Sequence, residues 1–129
     1  RRSSDLTARR RRNLATFERL FGGDDRFIIQ RENGKSSSFS FPIVLSPDAP
    51  IDRDRVFAAL KEADIGFRVI TGGCFLRHDC IKFYDYEVHG NGVPNAEIAH
   101  DRGFFVGNHP FDLTPQIERL HDVLDKTCA

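Results

Sequence analysis

The sequence predicts an α/β fold of two layers, in which a small mixed, largely antiparallel sheet carries helices on one face. Three features predict it: helical apolar spacing opens and closes the chain, short runs rich in Phe, Ile and Val lie between helical stretches, and Gly, Pro and Asn separate these segments. At 129 residues, 40% of them apolar, the chain suits one domain, residues 1–129, with one core.

The first predicted element is a helix of four to five turns. Leu6, Leu14 and Phe17 recur at helical spacing, and Gly22-Gly23 stops the run. The arginine run at residues 9–12 wraps around this helix instead of lining one face. It therefore indicates a solvated helix more than a nucleic-acid site.

A β-hairpin is predicted next. The runs FIIQRE and SSFSFPIVL are separated by Asn33-Gly34, a pair that tolerates the positive φ of a tight turn. Pro42 cannot donate a ladder hydrogen bond, so we expect an edge or a bulge at that point of the second strand.

A second helix and a third strand follow. Asp52 is a good N-cap, Ile51 can staple to Val56 across the first turn, and Gly66 ends the helix. Residues 67–71 then read as a short strand.

The remaining third of the chain begins with a long irregular stretch, residues 72–95, in which residues 83–88 are one more candidate strand. One or two helical turns are predicted at 96–102 and a strand at 104–107. The last helix has Thr114 as N-cap, Pro115 at its first position and a buried stripe of Ile117, Leu120 and Leu124.

Composition narrows the classes of partner. Lys plus Arg equals Asp plus Glu at 19 each, so no basic excess predicts a nucleic-acid partner, and no apolar run is long enough to cross a membrane. Three Cys in an odd set predict free thiols, and with no leading hydrophobic segment they favour the cytoplasm. The chain has no Met and opens on two Arg, which predicts a fragment of a longer protein.

A metal site is not expected. Cys74 and Cys80 are six residues apart, and His78, His89 and His100 are scattered, so the close paired spacing of structural zinc sites is missing.

The order of several segments resembles one enzyme family. They are a leading helix at residues 4–21, an aromatic-x-Phe-Pro strand, a helix ending in Ile-Gly before an Arg, a Gly-Asn-His-Pro turn and a final helix. In this chain they read FSFPIVL, RVFAALKEADIGFR, VGNHP and TPQIERLHDVL. The chain resembles the C-terminal small domain of the pyridoxal-phosphate-dependent nucleotide-sugar aminotransferases and dehydratases named after DegT, DnrJ and StrS. That resemblance implies the C-terminal domain of a fold-type-I enzyme.

The resemblance also implies where the chemistry lies. A pyridoxal-phosphate enzyme needs a lysine or a substitute base, an acid at the pyridinium nitrogen and backbone donors for the phosphate. Lys35, Lys61, Lys82 and Lys126 all fall in turns, loops or polar helix positions. We therefore expect no catalytic and no cofactor-binding residue in this chain. The family places that machinery in a large N-terminal domain, which would bind pyridoxal 5'-phosphate and form a homodimer in the full-length protein.

What this chain can contribute, on the same resemblance, is a wall of a nucleotide-sugar site. Arg68 and Arg77 supply guanidinium groups for a pyrophosphate, Gly72 and Gly73 let backbone N–H groups approach an anion, and His78 can be protonated near neutrality. The alternative is a plain glycine turn between solvated arginines.

A second candidate pair is Asn108 and His109. They lie on the turn before the last helix and can face substrate; alternatively Asn108 builds the turn and His109 packs.

The reaction stays open between amine transfer and dehydration. The stretch after Arg68 is similar to the branch that removes the 3-hydroxyl of a 4-keto-hexose, but Cys74 stands where that branch has Asn or Leu. A different class of function also stays open, a free-standing α/β binding or interaction module without catalysis. A domain separated from its neighbour should expose an apolar patch.

Overall fold

The computed structural model describes residues 2–129. Along the chain it contains helix α1 (Arg2–Phe21), strands β1 (Phe27–Ile29) and β2 (Ser40–Leu45), helix α2 (Arg53–Glu62), strand β3 (Phe67–Val69), 3₁₀ turns at Phe75–Arg77 and Asp79–Phe83, helix α3 (Pro94–Arg102), strand β4 (Gly103–Gly107) and helix α4 (Thr114–Thr127). The predicted α/β fold is confirmed. No helix of the described chain has the length and apolar character that a bilayer crossing needs.

The sheet has the strand order β1-β2-β4-β3. Every strand pairing in the described chain is antiparallel, so the mixed component of the prediction is absent. The central pair, β2 and β4, is joined by a long connection that contains α2, β3 and α3.

Alternation along the strands divides the sheet into two faces. Phe41, Ile43 and Leu45 of β2 are buried, and so are Phe104 and Val106 of β4. They form one core with the apolar sides of α1, α2 and α4, whose buried residues include Phe17, Phe21, Val56, Leu60, Ile117, Leu120 and Leu124. Helices therefore cover one face of the sheet, as predicted, and the intervening residues face the other way.

Local capping explains where the second helix starts and stops. Asp52 is its N-cap, and the Asp52 carboxylate accepts a hydrogen bond from Asp54 N at 2.9 Å. The helix ends at Glu62, and the prediction that Gly66 ends it is wrong. The reversal occurs at Asp64, whose φ of 55° lies in the left-handed region, while Ile65 N donates to Leu60 O at 2.9 Å.

The tight turn predicted at Asn33-Gly34 is wrong, although β1 and β2 do pair as antiparallel neighbours. The strands stop at Ile29 and start at Ser40, so a ten-residue loop, residues 30–39, joins them. Hydrogen bonds hold this polar loop in place. Glu32 accepts from Gly34 N at 2.7 Å, and Arg11 of α1 donates to the carbonyls of Lys35 and Ser36.

Two other strand predictions need correction. The third strand ends at Val69 and not at residue 71, and residues 83–88 form no strand. The 3₁₀ turn at Asp79–Phe83 leads into extended backbone at Tyr84, and this segment pairs with none of the four strands of the described sheet. Pro42 lies in an internal strand, but β1 pairs only with residues 43–45, so β2 has one neighbour at Pro42.

The first helix is locked to the turn after β4 by two buried amides. Asn13 and Asn108 are 3% and 2% exposed. Asn13 Nδ2 lies 3.0 Å from Asn108 Oδ1, 3.0 Å from His109 O and 2.8 Å from Phe111 O, while Asn13 Oδ1 accepts from Leu113 N at 3.2 Å. Because the side chains of Asn13 and Asn108 lie away from water, their amide groups need these partners.

Replacing Asn13 with Leu should therefore be strongly destabilising. The leucine side chain would fill similar space but leave Asn108 Oδ1 and three backbone groups without their partner, at a cost of about 2–4 kcal/mol. Urea unfolding monitored by circular dichroism measures the loss. Arg12→Gln, an exposed change on the same helix, should alter stability by less than about 0.5 kcal/mol, and an equal loss in both variants would contradict this account of the buried amides.

Replacing Asp64 with Gly should stabilise the chain by roughly 0.5–1 kcal/mol, because Gly adopts a positive φ without the Cβ penalty. The opposite sign is expected for Glu62→Gly, at the last residue of the helix itself, at a cost of about 1 kcal/mol. Thermal unfolding of both variants checks the pair. If Asp64→Gly lowers the melting temperature, the left-handed cap is not the strained position inferred here.

Candidate functional site

The segment after β3 forms a compact loop, residues 72–78, here named the glycine loop. Two histidines hold its backbone. His78 Nε2 lies 2.9 Å from Gly72 O, and His100 Nδ1 of α3 accepts a hydrogen bond from Cys74 N at 3.1 Å. The Cys74 side chain is buried beneath the loop. The predicted glycine turn is therefore an ordered structure anchored on a neighbouring helix.

Gly73 is required at its position for two separate reasons. Its φ of 46° lies in the left-handed region, and a Cβ built on it would stand 2.4 Å from His100 Nδ1. A Cβ on Gly72 would meet nothing within 4 Å. The two glycines therefore differ: Gly73 is needed for close approach to the helix, and Gly72 leaves open space on the loop surface.

The two arginines of the candidate site have different partners. Arg77 forms an ion pair with Asp101 of α3, and the Arg77 guanidinium holds the pKa of the Asp101 carboxyl below its ordinary value. Arg68 is exposed and has no hydrogen-bond or ion-pair partner among residues 2–129. Of the two, Arg68 is the guanidinium free to meet a ligand.

Arg68 stands on the face of the sheet that no helix covers. It is the cross-strand partner of Phe105, which in turn pairs with Pro42. The Phe39 ring meets the Phe105 ring edge to face, with centroids 6.4 Å apart, and Phe39 is 69% exposed. We name this surface, with Ile28 of β1, the open face.

A second exposed apolar surface is the aromatic segment, residues 75–88. Its large apolar side chains point into solvent, and Phe83 reaches 86% exposure; the exposed members are Phe75, Phe83, Tyr84, Tyr86 and Val88. Isolated exposed apolar residues are ordinary, but several of them within one short segment indicate a contact surface. Exposed apolar area of the kind expected of a separated domain is therefore present.

Asn108 and His109 do not join the glycine loop. The loop follows β3 and lies at the end of the sheet where β4 begins, whereas Asn108 follows the other end of β4, about 17 Å away for five extended residues. Asn108 Nδ2 donates to Arg10 O at 3.1 Å and Ser38 O at 2.9 Å, so its amide is used inside the fold. This geometry favours the turn-building alternative for Asn108.

His109 is placed differently from its neighbour. It is exposed, stacks on Phe111 with ring centroids 5.7 Å apart, and lines a groove of ≈ 270 Å³ beside Ile117 and Arg119. A substrate-facing role for His109 stays a prediction. If it holds, His109 serves a region separate from the glycine loop.

Two residues that hold the glycine loop had no useful signal in the sequence. His100 entered only as a scattered candidate metal ligand, and Asp101 not at all. Both contacts span 24 to 26 residues, Cys74 to His100 and Arg77 to Asp101, so local patterns do not contain them.

The remaining candidate chemistry is sparse. No cluster of three or more His, Cys, Asp or Glu residues suited to a metal occurs in the described part of the chain. Lys35, Lys61, Lys82 and Lys126 are all exposed, and Lys82 pairs with Asp79. An aldimine lysine needs a shielded site with an acid for the cofactor ring, so the described residues do not fit a pyridoxal phosphate site of their own.

The three cysteines are unpaired, as predicted. Cys80 is exposed and Cys128 is half-buried against the core, where burial raises the pKa of the Cys128 thiol.

Comparison with known proteins gives a consistent result. The model of the DegT/DnrJ/EryC1/StrS aminotransferase family matches residues 1–124. Two curated relatives are GDP-4-keto-6-deoxy-D-mannose 3-dehydratases: that of Yersinia pseudotuberculosis is 41% identical over 91% of this chain, and that of Escherichia coli O55:H7 is 38% identical over 89%. The chain spans 30% of the length of each.

A solved structure agrees with this. The E. coli GDP-4-keto-6-deoxy-D-mannose-3-dehydratase with bound hydrated PLP superposes with a TM-score of 0.88 and 36% sequence identity, over 94% of this chain and 31% of that one. The fold and the element order are therefore those of about a third of a larger relative.

Changing Gly73 to Ala should cost about 1–3 kcal/mol, because the new methyl group meets His100 and the backbone is held at a positive φ. Gly72→Ala is the matched control, and its effect should stay within about 0.5 kcal/mol. Urea unfolding of the two variants makes the comparison. Equal effects would show that the contact between Gly73 and His100 is not tight.

Proposed function

The chain belongs to the DegT/DnrJ/EryC1/StrS aminotransferase family, and on that premise we propose that it is the C-terminal small domain of a pyridoxal-phosphate-dependent enzyme that modifies a nucleotide sugar. The single observation that carries the proposal is the uncovered apolar surface, the open face together with the aromatic segment. Exposed apolar area of this kind indicates a contact surface, and since the chain spans only 30% of each relative, we assign that contact to the rest of the same polypeptide. The free-standing binding module is therefore the weaker alternative.

The missing part is a large N-terminal domain of the same polypeptide. The chain corresponds to about 30% of each relative, and the described residues do not fit a cofactor site of their own. The large domain would bind pyridoxal 5'-phosphate and supply the base, and the full-length protein is expected to be a homodimer. Three unpaired cysteines suit a reducing compartment, so we place the protein in the cytoplasm.

Dehydration at carbon 3 is favoured over amine transfer. The two curated relatives reported above carry that activity on a GDP-linked 4-keto-6-deoxy sugar. The glycine loop departs from the pattern of that branch at Cys74, which is buried, so the substitution changes what lies under the loop and not the surface it shows. A GDP-linked 4-keto-hexose is thus the proposed substrate class.

The substrate-facing wall in this proposal consists of Arg68, Gly72, Gly73, Arg77 and His78. Arg68 supplies an unpaired guanidinium for a phosphate oxygen. Gly72 presents a backbone without a side chain in its way. Arg77 and His78 are engaged with Asp101 and Gly72 O, so their first role is to shape the loop.

Arg68→Gln in the complete gene product should weaken binding of GDP-mannose, a stable analogue of the proposed substrate class, by at least about tenfold, because a charge-assisted hydrogen bond to phosphate is lost. Isothermal titration calorimetry measures the dissociation constant. Arg55→Gln removes the same charge from an exposed position on α2 and should leave binding unchanged.

Two results would count against the proposal in different ways. If wild-type gene product binds neither pyridoxal phosphate nor GDP-mannose, the assigned function fails. If it binds both and Arg68→Gln binds as tightly as wild type, the function stands and the assignment of Arg68 is wrong.

A further inference from the structure

We propose that His100 is the positioning residue of the glycine loop: its uncharged ring, through Nδ1, holds the Cys74 amide and so fixes the loop shape that substrate meets. The inference rests on the proposed function, which places the loop at the substrate. His100 contacts the backbone of Gly73 and Cys74. Its effect on substrate is therefore indirect, through the backbone of residues 72–74.

The contact between helix and loop is close on two sides of the same ring. Cys74 N donates to His100 Nδ1 at 3.1 Å, and the missing Cβ of Gly73 leaves the space in which the ring sits. A larger residue at 73 would push the ring away, and a ring without an acceptor would leave the Cys74 amide unpaired beside a buried side chain. The residue at position 73 therefore has to be small, and the residue at position 100 has to provide a hydrogen-bond acceptor.

The hydrogen bond also fixes the state of the ring. Because Nδ1 accepts, it carries a lone pair, and the ring proton of neutral His100 is on Nε2. His78 has the complementary arrangement, since its Nε2 lies 2.9 Å from Gly72 O and donates to it. The two rings meet edge to face with centroids 6.3 Å apart. His78 thus closes the turn by a bond within the loop, and His100 attaches the loop to α3.

The helix that carries His100 is itself firmly attached. Arg53 of α2 donates to His100 O at 2.7 Å and to Gly103 O at 3.3 Å. Arg102 donates to carbonyls at the end of β2 and just after it, at 2.9 Å to Leu45, 2.7 Å to Ser46, 3.0 Å to Ala49 and 3.2 Å to Ile51. These hydrogen bonds attach α3 to the end of the sheet. Because α3 in turn holds the glycine loop, the loop has a defined position relative to the sheet.

A second attachment lies one residue further along α3. Asp101 pairs with Arg77, so consecutive helix residues grip the loop at positions 74 and 77. The ion pair is exposed on both sides and screened by water, which makes it the weaker of the two. The buried-side contact with His100 is thus expected to decide the loop conformation.

The test uses three variants of the complete gene product. His100→Leu removes the acceptor. His100→Asn keeps one, because Asn Oδ1 occupies nearly the place of Nδ1, and so serves as the rescue variant. His89→Leu changes an exposed histidine in the same stretch of chain and serves as the control.

Two readouts separate loop order from substrate binding. Hydrogen exchange measured by mass spectrometry on peptides spanning residues 72–78 should be faster by roughly five- to tenfold in His100→Leu, near wild type in His100→Asn and unchanged in His89→Leu. Calorimetric titration with GDP-mannose should show the same order, with affinity about tenfold weaker in His100→Leu and within about twofold in His100→Asn.

Three outcomes would overturn the inference. Unchanged exchange in His100→Leu would show that the ring does not hold the loop. Equal loss of affinity in His100→Leu and His100→Asn would show that the acceptor is not what matters. Faster exchange with unchanged affinity would show that the loop does not meet substrate. Failure of the wild type to bind GDP-mannose would instead overturn the proposed function, while the exchange readout would still test the contact.

Discussion

The whole arrangement depends on a sheet that is buried on one face only. Three helices bring their apolar sides against Phe41, Ile43, Leu45 and their neighbours, and this single core holds the chain together. The other face keeps Arg68, Phe105 and Phe39 in contact with water. A sheet covered on one face keeps a second face accessible, and in our proposal Arg68 on that face contacts substrate while its apolar residues contact the rest of the protein.

Long-range hydrogen bonds connect the glycine loop to the sheet through the third helix. Arg102 and Arg53 tie the third helix to the end of the sheet, and that helix holds residues 72–78 through His100 and Asp101. At the opposite end of β4, Asn13 and Asn108 lock the first helix. The glycine loop and the pair Asn108 and His109 therefore lie at opposite ends of β4. The two groups of candidate substrate-binding residues are separated by the length of that strand.

The sequence was a good guide wherever structure is local. The α2 N-cap at Asp52 and the buried stripe of Ile117, Leu120 and Leu124 follow from spacing and capping chemistry, and both are present. The Asn33-Gly34 turn failed because turn propensity competes with loop hydrogen bonds from Arg11, a residue on another element. The helix end at Asp64 and the contact between Cys74 and His100 were missed since left-handed Asp and a partner 26 residues away leave no periodic pattern.

In our proposal this chain forms one wall of a nucleotide-sugar site, and the rest of a larger protein covers its open face and aromatic segment. Hydrogen exchange of the complete gene product, with and without GDP-mannose, tests both halves in one measurement. The account predicts slow exchange in β2 and β4 and low exchange of residues 75–88 in both states, with additional protection of residues 68–78 only when the ligand is bound. Rapid exchange of residues 75–88 throughout, together with no ligand effect at 68–78, would contradict it.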